Sequence, residues 1–66
     1  MFLEKRLQAC NEMTTGSTKG FLKNGTSYIV QKKENRNFSV MIFHKGILKR
    51  TESSLTFDQL KKIVLS

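Results

Sequence analysis

The stretch Phe38-Ser39-Val40-Met41-Ile42-Phe43 constrains this chain more than any other part of it. Its β-branched and aromatic residues favour a strand. As a strand, it sends Phe38, Val40 and Ile42 to one side and Met41 and Phe43 to the other, whatever its pairing. A strand apolar on both sides needs cover on both, or cover on one and a partner on the other. Only 66 residues are available to supply that cover. A chain of that length makes one small domain, burying only ~60% of its unfolded surface, so its own core is marginal.

The flanking sequence offers two helices and two further strands. Residues 2–13 read as an amphipathic helix. Leu3, Leu7 and Cys10 recur at steps of four and three, and Phe2, Ala9 and Met13 widen the stripe. Residues 14–25 read as a flexible basic loop, rich in Gly, Ser and Thr, with Phe21-Leu22 tacking it to the core and Asn24-Gly25 as a turn signal. Residues 26–51 read as three strands joined by two short turns, the first around Asn35-Arg36 and the second at Lys45-Gly46. Connections that short require antiparallel pairing. Residues 56–65 read as a closing helix, with Thr56 as N-cap, Asp58 in the first turn and Phe57, Leu60, Ile63 and Val64 as the buried face. The expected fold is a single α+β domain of order α-β-β-β-α: a three-stranded antiparallel meander flanked by two amphipathic helices.

A turn on Asn35-Arg36 pairs Val30 with Met41, and Tyr28 with Phe43 and Leu48. Tyr28, Val30, Met41, Phe43 and Leu48 then share one face, with Lys32 and Arg50. Ile29, Phe38, Val40, Ile42 and Ile47 share the other, with Lys33 and Lys49. A slip of one residue would exchange these sets. If both helices covered one face, the other would be apolar, rimmed by Lys and Arg, and fit to bind a partner or a second copy.

Charge points the same way. Twelve Lys and Arg oppose five Asp and Glu, a formal net charge of +7. Residues 1–13 and 52–66 are each neutral, so the whole surplus lies between them. It consists of Lys19, Lys23, Lys32, Lys33, Arg36, Lys45, Lys49 and Arg50, opposed only by Glu34. A positive field of that kind favours polyanionic partners, either nucleic acid (DNA or RNA) or an acidic protein. These eight residues are the candidate contacts. Phosphate contacts need only such cations, whereas base reading would call on Arg50, Asn35, Arg36, Asn37 and Gln31. The expected layout resembles that of double-stranded RNA-binding domains, and its β-β-β-α part that of the sheet-reading DNA-binding domains of some phage-type integrases. The likeness is one of element order.

Other functions find little footing. One cysteine forms no internal disulfide and no cysteine-based zinc site, and the single His44 sits in an expected turn. No nucleophile–base set and no cluster of carboxylates is visible, so neither catalysis, metal nor cofactor is expected. Gly16-Ser17-Thr18-Lys19-Gly20 has the ingredients of a phosphate loop but not its spacing, nor a strand before it and a helix after. The longest apolar run, Val40-Met41-Ile42-Phe43, is far shorter than the ~20 residues of a membrane span. The early charges Glu4, Lys5 and Arg6 do not suit a signal peptide, and charge-balanced helices do not suit a membrane surface. These features lead us to expect a cytoplasmic, non-catalytic nucleic-acid-binding or regulatory protein acting through its sheet and the 16–25 loop. The rival expectation is a protein-interaction module that binds an acidic partner or forms a homodimer through the sheet. A small enzyme using His44 ranks last.

Overall fold

The computed structural model describes residues 2–66. Its order is α-β-β-β-β-α, one strand more than the sequence suggested. Helix α1 spans Phe2–Gln8 and runs into a 3-10 turn, Ala9–Glu12. The strands are β1 Thr18–Lys23, β2 Thr26–Lys32, β3 Phe38–His44 and β4 Ile47–Leu55, and helix α2 spans Phe57–Leu65. The four strands form one antiparallel meander in the order β1-β2-β3-β4.

The extra strand corrects the reading of residues 14–25 as a flexible loop. Asn24-Gly25 closes a two-residue hairpin with positive φ at both positions, 51° and 77°. That pair of angles matches the right-handed strand twist and suits Asn-Gly. The turn folds Thr18–Lys23 back onto β2, placing Phe21 beside Tyr28 and Lys19 beside Val30. Phe21 is thereby buried. Lys45-Gly46 repeats the device between β3 and β4, with φ of 52° and 81°.

The register also differs from expectation. β2 and β3 are joined not by a two-residue turn but by residues 33–37, which contain a short 3-10 segment, Glu34–Arg36. The Lys33 amide donates to the Asn37 carbonyl across its base, at 2.7 Å. Asn35 and Arg36 both take positive φ, 58° and 60°. The longer connection slips the pairing by one residue, so Val30 faces Val40, Tyr28 faces Ile42 and Ile29 faces Met41. Period-two alternation then moves Met41 and Phe43 to the face opposite Val30. A bulge in β4 between the partners of Ile42 and Phe43 leaves Lys49 as the extra residue. It sets Arg50, in place of the expected Lys49, beside Ile42 on the Tyr28 face, while Leu48 keeps its place beside Phe43.

Both helices lie on the Val30 face. Leu7 and Cys10 from the first helical segment and Leu60 and Val64 from α2 join Phe21, Val30, Phe38, Val40 and Leu55 in one buried cluster. Phe57 adds a tilted ring contact to Phe38, with centroids 6.1 Å apart. α2 begins as the sequence suggested. The Thr56 hydroxyl accepts from the Gln59 amide and the Gln59 side chain accepts from the Thr56 amide, a reciprocal capping box.

One-sided cover makes the two faces respond differently to truncation. Leu60→Ala, at a site with no exposure, is expected to lower stability by ~2–5 kcal/mol. Leu22→Ala, on the uncovered face and 72% exposed, is expected to change it by ~0.5 kcal/mol or less. Urea midpoints measure both, and equal losses would contradict the arrangement.

Candidate interaction surface

The eight cations proposed from the sequence do not form one patch. Four of them, Lys19, Lys23, Lys32 and Arg50, hold positions on the face that the helices cover, in register with Val30, Thr26, Phe38 and Ile42. Lys32 is buried, only 8% exposed. Its ammonium donates to the carbonyls of Asn11 at 2.9 Å and Cys10 at 3.5 Å, and lies 5.2 Å from the Phe38 ring centroid. Lys23 donates to the Val64 carbonyl at 3.2 Å and to the backbone oxygen of Ser66 at 2.9 Å. Each lysine thus meets the C-terminal end of a helical segment, where carbonyls lack intrahelical partners and the dipole is negative. Arg50 pairs with Glu52 two residues along the same strand, Nε to Oε2 at 2.7 Å.

The other four are exposed, as Arg50 is, and scattered. Lys33 and Arg36 belong to the β2–β3 connection at one end of the sheet, Lys45 to the β3–β4 turn at the other, and Lys49 to the bulge of the edge strand β4. Nor does the glycine-rich segment offer a phosphate cradle of free amides. The Gly16 amide donates to the Lys32 carbonyl at 2.8 Å and that of Ser17 to the Thr14 carbonyl at 3.0 Å.

The face away from the helices has a different character. Its cross-strand rows are Thr18–Gln31–Ser39, Gly20–Ile29–Met41–Thr51 and Leu22–Ser27–Phe43–Leu48. No charged residue holds a paired position on it. Leu22 is 72%, Leu48 50% and Met41 39% exposed, and Ile29 and Phe43 are half-buried between them. Monomeric surfaces seldom leave so many large apolar side chains together. The sequence pointed to an open apolar face but not to its members, because the register slip exchanged Val30 and Tyr28 for Ile29. It also put Lys32 and Arg50 on one face with Met41 and Phe43, whereas the structure sets them on the helix side of the sheet, Lys32 buried and Arg50 exposed.

His44 and Cys10 are the two side chains near the sheet to weigh as reactive groups. His44 Nδ1 is 3.1 Å from the Thr26 hydroxyl, within one cross-strand pair. Burial pushes the Cys10 thiol above its ordinary pKa, outweighing the opposite pull of Lys19 and Lys32. A protonated, buried thiol is a poor nucleophile. Among the described residues no three His, Cys, Asp or Glu side chains come together as metal ligands, and no helix is long and apolar enough to cross a membrane.

Comparison with known proteins returns no matching family, no similar curated protein and no similar solved structure. The fourth strand also departs from the α-β-β-β-α layout that suggested double-stranded RNA-binding domains.

The internal role of Lys32 can be checked by stability alone. Lys32→Ala takes the ammonium donor from the Asn11 carbonyl, removes a second donor from the Cys10 carbonyl, which keeps the Met13 amide, and empties a buried position, and is expected to cost ~1–3 kcal/mol. Lys49→Ala, exposed on the edge strand, is expected to cost ~0.5 kcal/mol or less. Comparable small effects in chemical denaturation would show that Lys32 is an ordinary surface cation.

Proposed function

We propose that this chain is a protein-interaction module, a small adaptor or inhibitor that docks a partner through the open face of its sheet. One observation carries the reading: three of the four strands present exposed Leu22, Met41 and Leu48 on a face with no charged residue at any paired position. Burying each such side chain in an interface is worth ~1.5–3 kcal/mol at most. A handful of them suffices for a specific contact, provided the surrounding polar groups find partners. Nucleic-acid binding by the sheet has less to work with. Phosphate contacts need several cations on one surface, whereas Lys32 is buried, Lys19 and Lys23 are half-buried, and the exposed candidates are spread over both ends and the β4 edge of the sheet.

The reading is tested by affinity capture from extracts of the protein's own source. Met41→Glu and Leu48→Glu, which alter exposed positions and should keep the circular dichroism of the parent, are expected to lose the captured partner. Lys5→Gln, on the exposed side of α1, is expected to keep it. Capture indifferent to Met41→Glu would overturn the proposal. So would a mobility shift of duplex DNA or RNA that survives Met41→Glu and vanishes in Lys33→Glu/Arg36→Glu.

A further inference from the structure

We infer that the occupant of the open face is an acidic amphipathic helix of a partner protein, with an apolar stripe on the sheet and flanking carboxylates on the cations at its perimeter. The inference rests on the open face being the docking surface, and adds the shape and charge of what docks there.

Size comes first. Four strands ~4.8 Å apart, crossed along the six residues of β1 at ~3.3 Å each, give a flat footprint of about 400 Å². A standard protein–protein interface takes ~800 Å² from each partner. The footprint is small for the face of a second globular domain. A helix ~10 Å across, laid over about four turns, fits within it and covers about 200 Å². The other face of the same sheet already packs against helices, so the geometry of contact is one this sheet supports.

Charge then selects the helix. The footprint itself is uncharged, while exposed cations stand around it: Lys33 and Arg36 at one end, Lys45 at the other and Lys49 along the β4 edge. Glu34 is the one carboxylate in that ring. The remaining acidic residues with a described position lie on the helices or, as Glu52, pair on the covered face. A helix with carboxylates on both sides of its apolar stripe places opposite charge against that ring and is drawn to it at long range. A second copy of this chain would bring its own Lys33, Lys45 and Lys49 and a net charge of +7, the wrong sign for this rim. A nucleic acid would find no cation within the footprint.

The test uses the full chain, isotopically labelled, and three synthetic helix-forming peptides of 18 residues: a leucine stripe flanked by glutamates, the same stripe flanked by lysines, and a glutamate peptide without the stripe. Methyl and amide resonances are followed at 50 and 300 mM salt. The Leu/Glu peptide is expected to move Ile29, Met41 and Leu48, with affinity falling about fivefold to tenfold between the two salts as screening shortens the reach of the rim charges. The other two peptides are expected to leave that face unmoved. Lys33→Glu/Lys49→Glu should weaken the Leu/Glu peptide at least tenfold with the spectrum otherwise unchanged. Equal, salt-insensitive binding of the Leu/Lys peptide would overturn the acidic helix while leaving the open face as a docking site. Concentration-dependent shifts confined to the open face without peptide, matched by a dimer in sedimentation, would overturn it in favour of a second copy. If no peptide moves Ile29, Met41 or Leu48, the helical occupant is wrong. If Met41→Glu also keeps the captured partner, the open face itself is not the site.

Discussion

A four-stranded sheet has two faces, and this chain carries helix enough for only one of them. The rest of the structure follows from how that single layer of cover is held. Helix α1 with its 3-10 turn, and α2, each contribute a narrow apolar edge, Leu7 with Cys10 and Leu60 with Val64, to the Val30–Val40 side of the sheet. Two lysines fasten their ends. Lys32, at the end of β2, reaches the carbonyls that close the first helical segment, and Lys23, at the end of β1, reaches those that close α2. The two segments run in opposite senses, so their negative ends lie at opposite ends of the sheet. The lysines that meet them therefore come from opposite ends of a hairpin.

This arrangement changes the meaning of the positive surplus. On the sequence the excess of Lys and Arg between two neutral helices looks like a surface waiting for a polyanion. In the fold, part of it is spent inside the molecule. A buried ammonium is costly unless its protons are satisfied, and Lys32 meets that demand with two carbonyls and an aromatic face. With Lys19, Lys23, Lys32 and Arg50 at positions on the helix side of the sheet, the uncovered face is left to Gly20, Leu22, Ile29, Met41, Phe43 and Leu48 and their polar neighbours. Charge survives around that face and not on it. The proposed apolar docking with electrostatic guidance at the rim accords with this division better than phosphate binding does.

Much of the architecture was legible from residues alone. The α+β class, the closing helix with its Thr56 cap, the Lys45-Gly46 turn and the two-sided apolar character of β3 all follow from local chemistry. What was not legible depended on pairing across the chain. Gly16, Gly20 and the hydroxyls around them mask β1, whose strand character comes from the Asn24-Gly25 turn and from Phe21 reaching the core. The β2–β3 connection hides its length because Asn35 and Arg36 suit a tight turn as well as the positive-φ path they take. One residue of difference there exchanged the faces of β2. The roles of Lys23 and Lys32 could not be read locally either, since their partners lie 41 and 43 residues away in one case and 22 and 21 in the other.

The claim on which the account turns is that helical cover is confined to one face. The most direct measurement of it is the relaxation caused by a neutral paramagnetic co-solute on the methyl resonances of the dilute protein. The account predicts strong relaxation at Leu22, Met41 and Leu48, and almost none at Val30, Val40, Leu60 and Val64. Protection of Met41 and Leu48 equal to that of Val40 would contradict it, because the face assigned to a partner would then already be covered.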